Sequence, residues 1–233
     1  FSGFLFTAGP NWLRVEPLPA ARLLGPLLLQ AGGWLVWLAG VHLAAGLALA
    51  GLVLACAGLG WMVALFWQLI GASAVHDRVH ARAVGIGGLV GVACLAGTGL
   101  AVLTGHDTLA LLGVRTALWG FIVVVYVSVA HRMIPFFTAN VLPMIELWRP
   151  FWVLWLMLGV AAFEVLALWV DHAAPSDSAW PLWTVLVIAV ELAAGGVLLW
   201  LAVVWGVVQS LKIRLLAMLH VGFVWLGLAL LYS

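Results

Sequence analysis

Two histidines of this chain fall inside long apolar segments, where an imidazole ring can bind a metal. His131 lies about seven residues before the end of one segment, and His220 lies about seven residues into another. At the usual helical rise, both rings would sit roughly 10 Å inside their segments. Imidazole binds haem iron, copper and zinc, so the pair predicts axial haem ligation or a mixed haem–copper site. A ring that only donates a hydrogen bond to a neighbouring helix is the equally open alternative.

Arg132 and Pro135 follow His131 within one helical turn. Ionisable side chains at membrane depth are costly and usually serve a function. We expect Arg132 to bind a haem propionate or to tune the site electrostatically. Pro135 has no N–H to donate, so the helix is predicted to kink or break there and to open space for a ligand.

Two glutamates also occur within apolar segments. Glu191 lies about nine residues into its segment, too deep to reach water, and it predicts a proton relay, an arginine pair or support for a metal ligand. Glu164 lies about six residues from the outer end of its segment. We expect its carboxyl group to extend to the membrane surface.

The composition identifies a membrane protein. Hydrophobic residues make up 67 % of the chain and charged residues 7 %, against about 25 % charged in soluble domains. The mean hydropathy is +1.25. A net charge of +1 without a lysine or arginine cluster excludes a nucleic-acid partner, and the predicted partner is the lipid bilayer.

Seven apolar segments are long enough to cross a bilayer as helices. They predict an all-α polytopic bundle, because a lipid-exposed helix satisfies its own backbone. A partial helix at 1–9 precedes them, and the chain is interpreted as one transmembrane domain, 1–233, that is an incomplete piece of a longer protein. The segments are 23–41, 46–71, 83–104, 110–138, 150–170, 182–208 and 213–233.

The basic residues fix an orientation. Eight of the nine fall on one side of the predicted bundle, in or near alternate connections, while the other connections carry Asp107, Asp171 and Asp177. The positive-inside rule assigns the basic side to the cytoplasm. The eight are Arg14, Arg22, Arg78, Arg82, Arg132, Arg149, Lys212 and Arg214.

A short internal echo predicts a parallel repeat of four helices. Phe6–Asn11 is similar to Phe137–Asn140, and each copy ends a segment on the basic side. Four full segments separate them, so the two copies would have the same orientation. Chance similarity between two helix ends is the alternative.

Four elements, in order, resemble the NnrS family of haem- and copper-containing membrane proteins linked to bacterial nitric-oxide metabolism. The resemblance implies a multi-pass protein of the bacterial inner membrane with haem, and copper as a further candidate. Its implied ligand is nitric oxide or a related small molecule, with an unidentified electron donor. The elements are Gly3–Trp12, Arg132–Thr138, Trp148–Pro150 and Leu219–Leu226.

We therefore predict a haem-binding protein of the nitrogen-oxide response, with copper as a further candidate cofactor. His220 is the first expected ligand, His131 is the second, and Arg132 lies beside them. Two alternatives stay open at this point. One is a small-molecule transporter that uses the interrupted helix at Pro135 together with Glu191. The other is a haem-binding sensor or assembly factor that turns nothing over.

Overall fold

The computed structural model describes residues 2–142, 144–174 and 181–232, and this part of the chain contains helices and connections but no strand. The helices, in chain order, are α1 Ser2–Leu13, α2 Ala20–Leu43, α3 Ala45–Ala72, α4 Val79–Leu103, α5 Asp107–Ala117, α6 Val124–Val141, α7 Phe151–Ala173, α8 Pro181–Val204, α9 Val207–Ser210 and α10 Arg214–Tyr232. A π-helical segment, Leu118–Val123, joins α5 to α6.

Seven helical segments of the described chain are long and apolar enough to cross a membrane. They are α2, α3, α4, the continuous run from α5 to α6, α7, α8 and α10. The predicted number and order of spans are confirmed, and so is the all-α polytopic architecture. The protein is therefore a multi-pass membrane protein.

The chain divides into two compact units, Phe1–Val125 and Tyr126–Ser233. Each unit contains one copy of the echo found in the sequence within its first helix, since Phe6 opens the first copy and Phe137 the second. The parallel repeat itself stays a prediction. That the two units form one folding domain also stays a prediction.

In the first unit, α2 and α3 pack through glycines. A Cβ added at Gly33 would lie 2.8 Å from Ala55 Cα, and one at Gly58 would lie 2.5 Å from Gln30 N. Small residues let helix backbones approach this closely, which is how membrane helices gain van der Waals contact without a hydrophobic driving force. Glycine therefore determines the spacing of these two helices.

The first unit is closed by α1. The Phe6 ring meets the Phe66 ring edge-on at a centroid distance of 6.3 Å. At the other end of α1, the buried Ser73 hydroxyl donates a hydrogen bond to the Leu13 carbonyl oxygen at 2.7 Å. Because this bond joins the end of α1 to the end of α3, it fixes the short helix against the span.

The helix that carries His131 continues through Pro135 and ends at Val141. Of the kink or break predicted at Pro135, the break is therefore not present, and the kink stays a prediction. The missing proline N–H leaves the carbonyl oxygen of His131 without its usual helical donor. The backbone irregularity lies earlier, in the π segment, a type of structure that often marks functional sites.

In the second unit, α8 and α10 approach at two glycines. A Cβ added at Gly195 would lie 2.9 Å from the Gly227 carbonyl oxygen. The connection after α8 turns sharply at Gly206, whose φ of +88° lies in the left-handed region that favours glycine. This turn directs the residue before it, Trp205, into the interior of the unit.

Candidate functional site

Both histidines predicted as ligands are buried in the second unit. The exposed fraction is 1 % for His131, on α6, and 0 % for His220, on α10. Neither ring therefore faces lipid. Trp205 contacts both of them, through its ring on one side and its carbonyl oxygen on the other.

Each ring nitrogen of His220 faces a backbone carbonyl oxygen. Nδ1 lies 3.0 Å from Leu216 O, one turn earlier in α10, and Nε2 lies 3.1 Å from Trp205 O. A neutral imidazole has only one N–H, so one of these nitrogens must present its lone pair to a carbonyl lone pair. The Thr138 hydroxyl lies 3.5 Å from Nε2 and is the side chain able to donate to it.

The Nδ1–Leu216 contact has a direct consequence for ligation. A metal-binding histidine typically donates one ring N–H to a carbonyl or carboxylate and binds the metal through the other nitrogen. If Nδ1–H donates to Leu216 O, then Nε2 keeps a lone pair that lacks a strong donor. An electropositive partner at Nε2 would remove the repulsion between the Nε2 lone pair and the Trp205 carbonyl oxygen.

His131 is held from the start of the next span. Its Nε2 lies 3.1 Å from the Pro150 carbonyl oxygen, which immediately precedes α7. The ring packs beside the Phe151 and Trp205 rings at centroid distances of 6.5 Å and 6.3 Å. A carbonyl acceptor and an aromatic wall thus orient this imidazole.

Trp205 is the residue that the sequence analysis missed. It is 2 % exposed, its Nε1–H donates to Trp148 O at 3.1 Å, and its ring lies 5.0 Å from that of Phe223. The indole and its carbonyl separate His131 from His220. The sequence offered one signal, a tryptophan followed by glycine at the end of an apolar segment, but the chain contains 15 tryptophans.

Arg132 is half-buried on α6, next to His131 in the chain. A cavity of about 370 Å³ lies between the basic ends of α6 and α10. It is lined by apolar side chains, and Leu216, whose carbonyl oxygen faces His220, is one of them. The cavity is within the size range of small-ligand pockets. It lies beside the turn that carries His220 and not between the two histidines.

The side chains that could bind a metal determine which kind of metal site these residues can form. The described residues contain no group of three or more histidine, cysteine or acidic side chains able to hold a metal ion. They therefore provide no complete tetrahedral zinc or mononuclear copper site. Two buried imidazoles on different helices do match the donors of axial haem ligation. A porphyrin between them would require the Trp205 indole to move.

The two membrane-depth glutamates are brought together. Glu164 is 6 % exposed and Glu191 is 9 % exposed, and their carboxyl groups interact electrostatically across α7 and α8. The expectation that Glu164 reaches the membrane surface is therefore wrong. Helix α7 extends to Ala173, which places Glu164 deeper than the predicted end of that segment implied.

Comparison with known proteins gives one family. The family model described as NnrS protein matches residues 1–233, the full length of the chain. No curated protein and no solved structure matches it.

Proposed function

The chain belongs to the NnrS family, and from this membership we propose that it is a haem-binding protein of nitric-oxide metabolism in the bacterial inner membrane. His220 is the first haem ligand and His131 the second. The basic connections face the cytoplasm under the positive-inside rule. Nitric oxide or a related nitrogen oxide is the small molecule that the site handles.

One observation carries the proposal, the placement of the His220 ring. It is fully buried, Nδ1 is oriented by Leu216 O, and Nε2 faces an acceptor that cannot donate to it. If Nδ1–H donates to Leu216 O, the donor left for Nε2 is the Thr138 hydroxyl at 3.5 Å, which is the outer limit of hydrogen-bond distance and makes it a weak partner. Haem iron would be an electropositive partner of the required kind, and a diatomic molecule would compete with His131 for it.

His131 and Arg132 complete the arrangement from α6. His131 is held by Pro150 O through one nitrogen, as a ligating imidazole usually is. Arg132 follows it and offers a guanidinium group, which binds carboxylates such as haem propionates in a bidentate manner. Copper stays a second candidate, which would need ligands in addition to these.

The transporter alternative loses its main support. It depended on an interrupted helix at Pro135, and α6 continues through that residue to Val141. Haem binding without turnover stays a real alternative to catalysis. Consumption of nitric oxide by the reduced, haem-loaded protein separates a catalyst from a sensor or assembly factor.

The test is the haem content and visible spectrum of the purified full chain and its variants. We expect His220→Ala to lose most of the haem and His131→Ala to retain a reduced or spectrally altered fraction. His172→Ala is the matched control, because His172 is exposed at the end of α7, and it should keep the wild-type haem content.

A second variant distinguishes loss of the ligand from misfolding of the protein. His220→Met keeps a similar bulk and offers a thioether ligand, so it should retain haem with shifted absorption bands and a higher reduction potential. Wild-type haem content and spectra in both His220→Ala and His131→Ala would overturn the ligand assignment. A natural protein that purifies without haem and does not take it up would overturn the function.

A further inference from the structure

Glu164 and Glu191 lie at the same depth on neighbouring antiparallel helices. Glu164 precedes the end of α7 by nine residues, and Glu191 follows the start of α8 by ten. At 1.5 Å per residue both lie roughly 14–15 Å from those ends, near the middle of a hydrocarbon core about 30 Å thick. Equal depth on helices that pack together brings each carboxyl group within range of the other's charge.

Their surroundings offer no compensating charge. Both side chains are buried, and Glu164 Oε1 has no hydrogen-bond partner among the described residues. Within the same part of the chain, no basic side chain forms an ion pair with either carboxyl group. Glu191 is therefore the ionisable group that acts on the Glu164 carboxyl group.

The elements packed against the pair confirm this isolation. Helix α7 packs on α8, and α8 packs on α7, α9 and α10. Helix α9 carries no titratable group. The remaining titratable groups of these helices are exposed at helix ends or, for His220, engaged at Trp205. They are Asp171, His172, Arg214, His220 and Tyr232.

Two ionised carboxylates in this position would be strongly disfavoured. A charge removed from water without a partner is strongly disfavoured, and a second like charge close by adds repulsion. A protonated carboxyl group beside an ionised one is the favourable state, because its O–H donates to the neighbouring carboxylate. Such a pair takes up and releases protons as a unit.

We propose that Glu164 and Glu191 form a proton-binding site within the membrane, in which the two carboxyl groups hold one proton between them. The proton comes from water and returns to water, with no other bond made or broken. One carboxyl oxygen donates the shared proton and one oxygen of the partner accepts it. The site is independent of haem, so its test does not require the haem-loaded protein.

The test uses dicyclohexylcarbodiimide, an apolar reagent that adds to protonated carboxyl groups inside membranes. The full chain in detergent is treated at neutral pH and its tags are mapped by mass spectrometry. We expect one tag per chain, on Glu164 or Glu191. Exposed Glu146 serves as the internal control and should carry none.

Variants and an infrared spectrum make the result specific. The double variant Glu164→Gln, Glu191→Gln should lose the tag and also the infrared carbonyl band of a protonated carboxyl group at neutral pH. Glu146→Gln should keep both signals. If the double variant does not fold, the number of tags on the wild-type chain still decides.

Two results would overturn the proposal. The absence of both the tag and the carbonyl band from the folded wild-type chain at neutral pH would show that neither carboxyl group holds a proton. An infrared carbonyl band that falls by half in each single variant, Glu164→Gln and Glu191→Gln, would show two bound protons and exclude sharing.

Discussion

The close contact between α2 and α3 leads to a prediction for two glycines of α3, Gly58 and Gly60. A Cβ added at Gly58 would lie 2.5 Å from Gln30 N and 2.8 Å from Gln30 Cα, whereas ordinary contact begins at 3.4 Å. The shortfall is about 0.9 Å against backbone atoms, which cannot rotate away. A Cβ at Gly60, two residues further along α3, would meet nothing within 4 Å.

The two alanine variants separate steric cost from helix propensity. Replacing glycine by alanine in a helix interior gains up to about 1 kcal/mol of intrinsic preference, and both variants share this gain. Only Gly58→Ala must also push the helices apart, and overpacking of this kind costs about 1–3 kcal/mol. The free energy of unfolding of Gly60→Ala should therefore exceed that of Gly58→Ala by about 1–3 kcal/mol.

The assay is equilibrium unfolding of the purified protein as sodium dodecyl sulfate is added to a mild detergent. Circular dichroism reports the loss of helix, and both variants are compared under identical conditions. We expect a lower unfolding midpoint for Gly58→Ala than for the wild type and an equal or higher midpoint for Gly60→Ala. Equal midpoints for the two variants would refute the close approach of α2 to α3.

Two further substitutions test side-chain hydrogen bonds, with the free energy of unfolding as the measurement. Ser73→Ala removes the buried bond to Leu13 O and the bond accepted from Val75 N–H, and it should cost about 1–2 kcal/mol; an unchanged stability would mean that α1 is not held there. Trp205→Phe removes the bond from Nε1 to Trp148 O but keeps the carbonyl oxygen that faces His220. The lost bond should cost about 1 kcal/mol, the cavity left by the smaller ring adds to this cost, and the haem content of the protein should stay unchanged. Complete loss of haem in this variant would show that the indole N–H, and not the carbonyl oxygen, supports the site.

The spans could be predicted from the sequence because their signals are local. About 20 consecutive apolar residues suffice for a helix in lipid, and basic residues at alternate connections order the spans. Even the shortest connection was visible, since a single residue, Ala44, separates α2 from α3. The depth of His131 and His220 followed from the same logic, whereas their burial depends on the direction in which each helix faces, which the spans do not give.

The contacts of the site could not be predicted because they depend on which helix faces which. Pro135 removes one backbone bond, but the rest of α6 keeps its helical bonds, so the helix continues to Val141. Trp205 reaches the histidines only because Gly206 turns the chain after α8. The depth of Glu164 was predicted wrongly because the predicted segment ended too early. Helix α7 continues for three more residues, which places Glu164 roughly 4–5 Å deeper.

The pair of carboxyl groups, Glu164 and Glu191, and the histidines lie at different depths in the second unit. Glu191 precedes the end of α8 by thirteen residues, whereas His220 follows the start of α10 by six, so measured from the basic side the levels differ by roughly 10 Å. The α8 side chains between Glu191 and that end are all apolar or glycine, and so offer no proton carrier.

The opposite direction is more polar. Asp171 follows Glu164 by seven residues, on the same face of α7, and Thr184 precedes Glu191 by seven on α8. Asp171 is exposed and accepts a hydrogen bond from Trp183 Nε1 at 2.8 Å, at the side of the membrane away from the basic connections. This arrangement favours proton exchange between the carboxyl pair and that side. A site that exchanges there, without a polar link to His220 along α8, would sense the pH on that side of the membrane and not a change at His220.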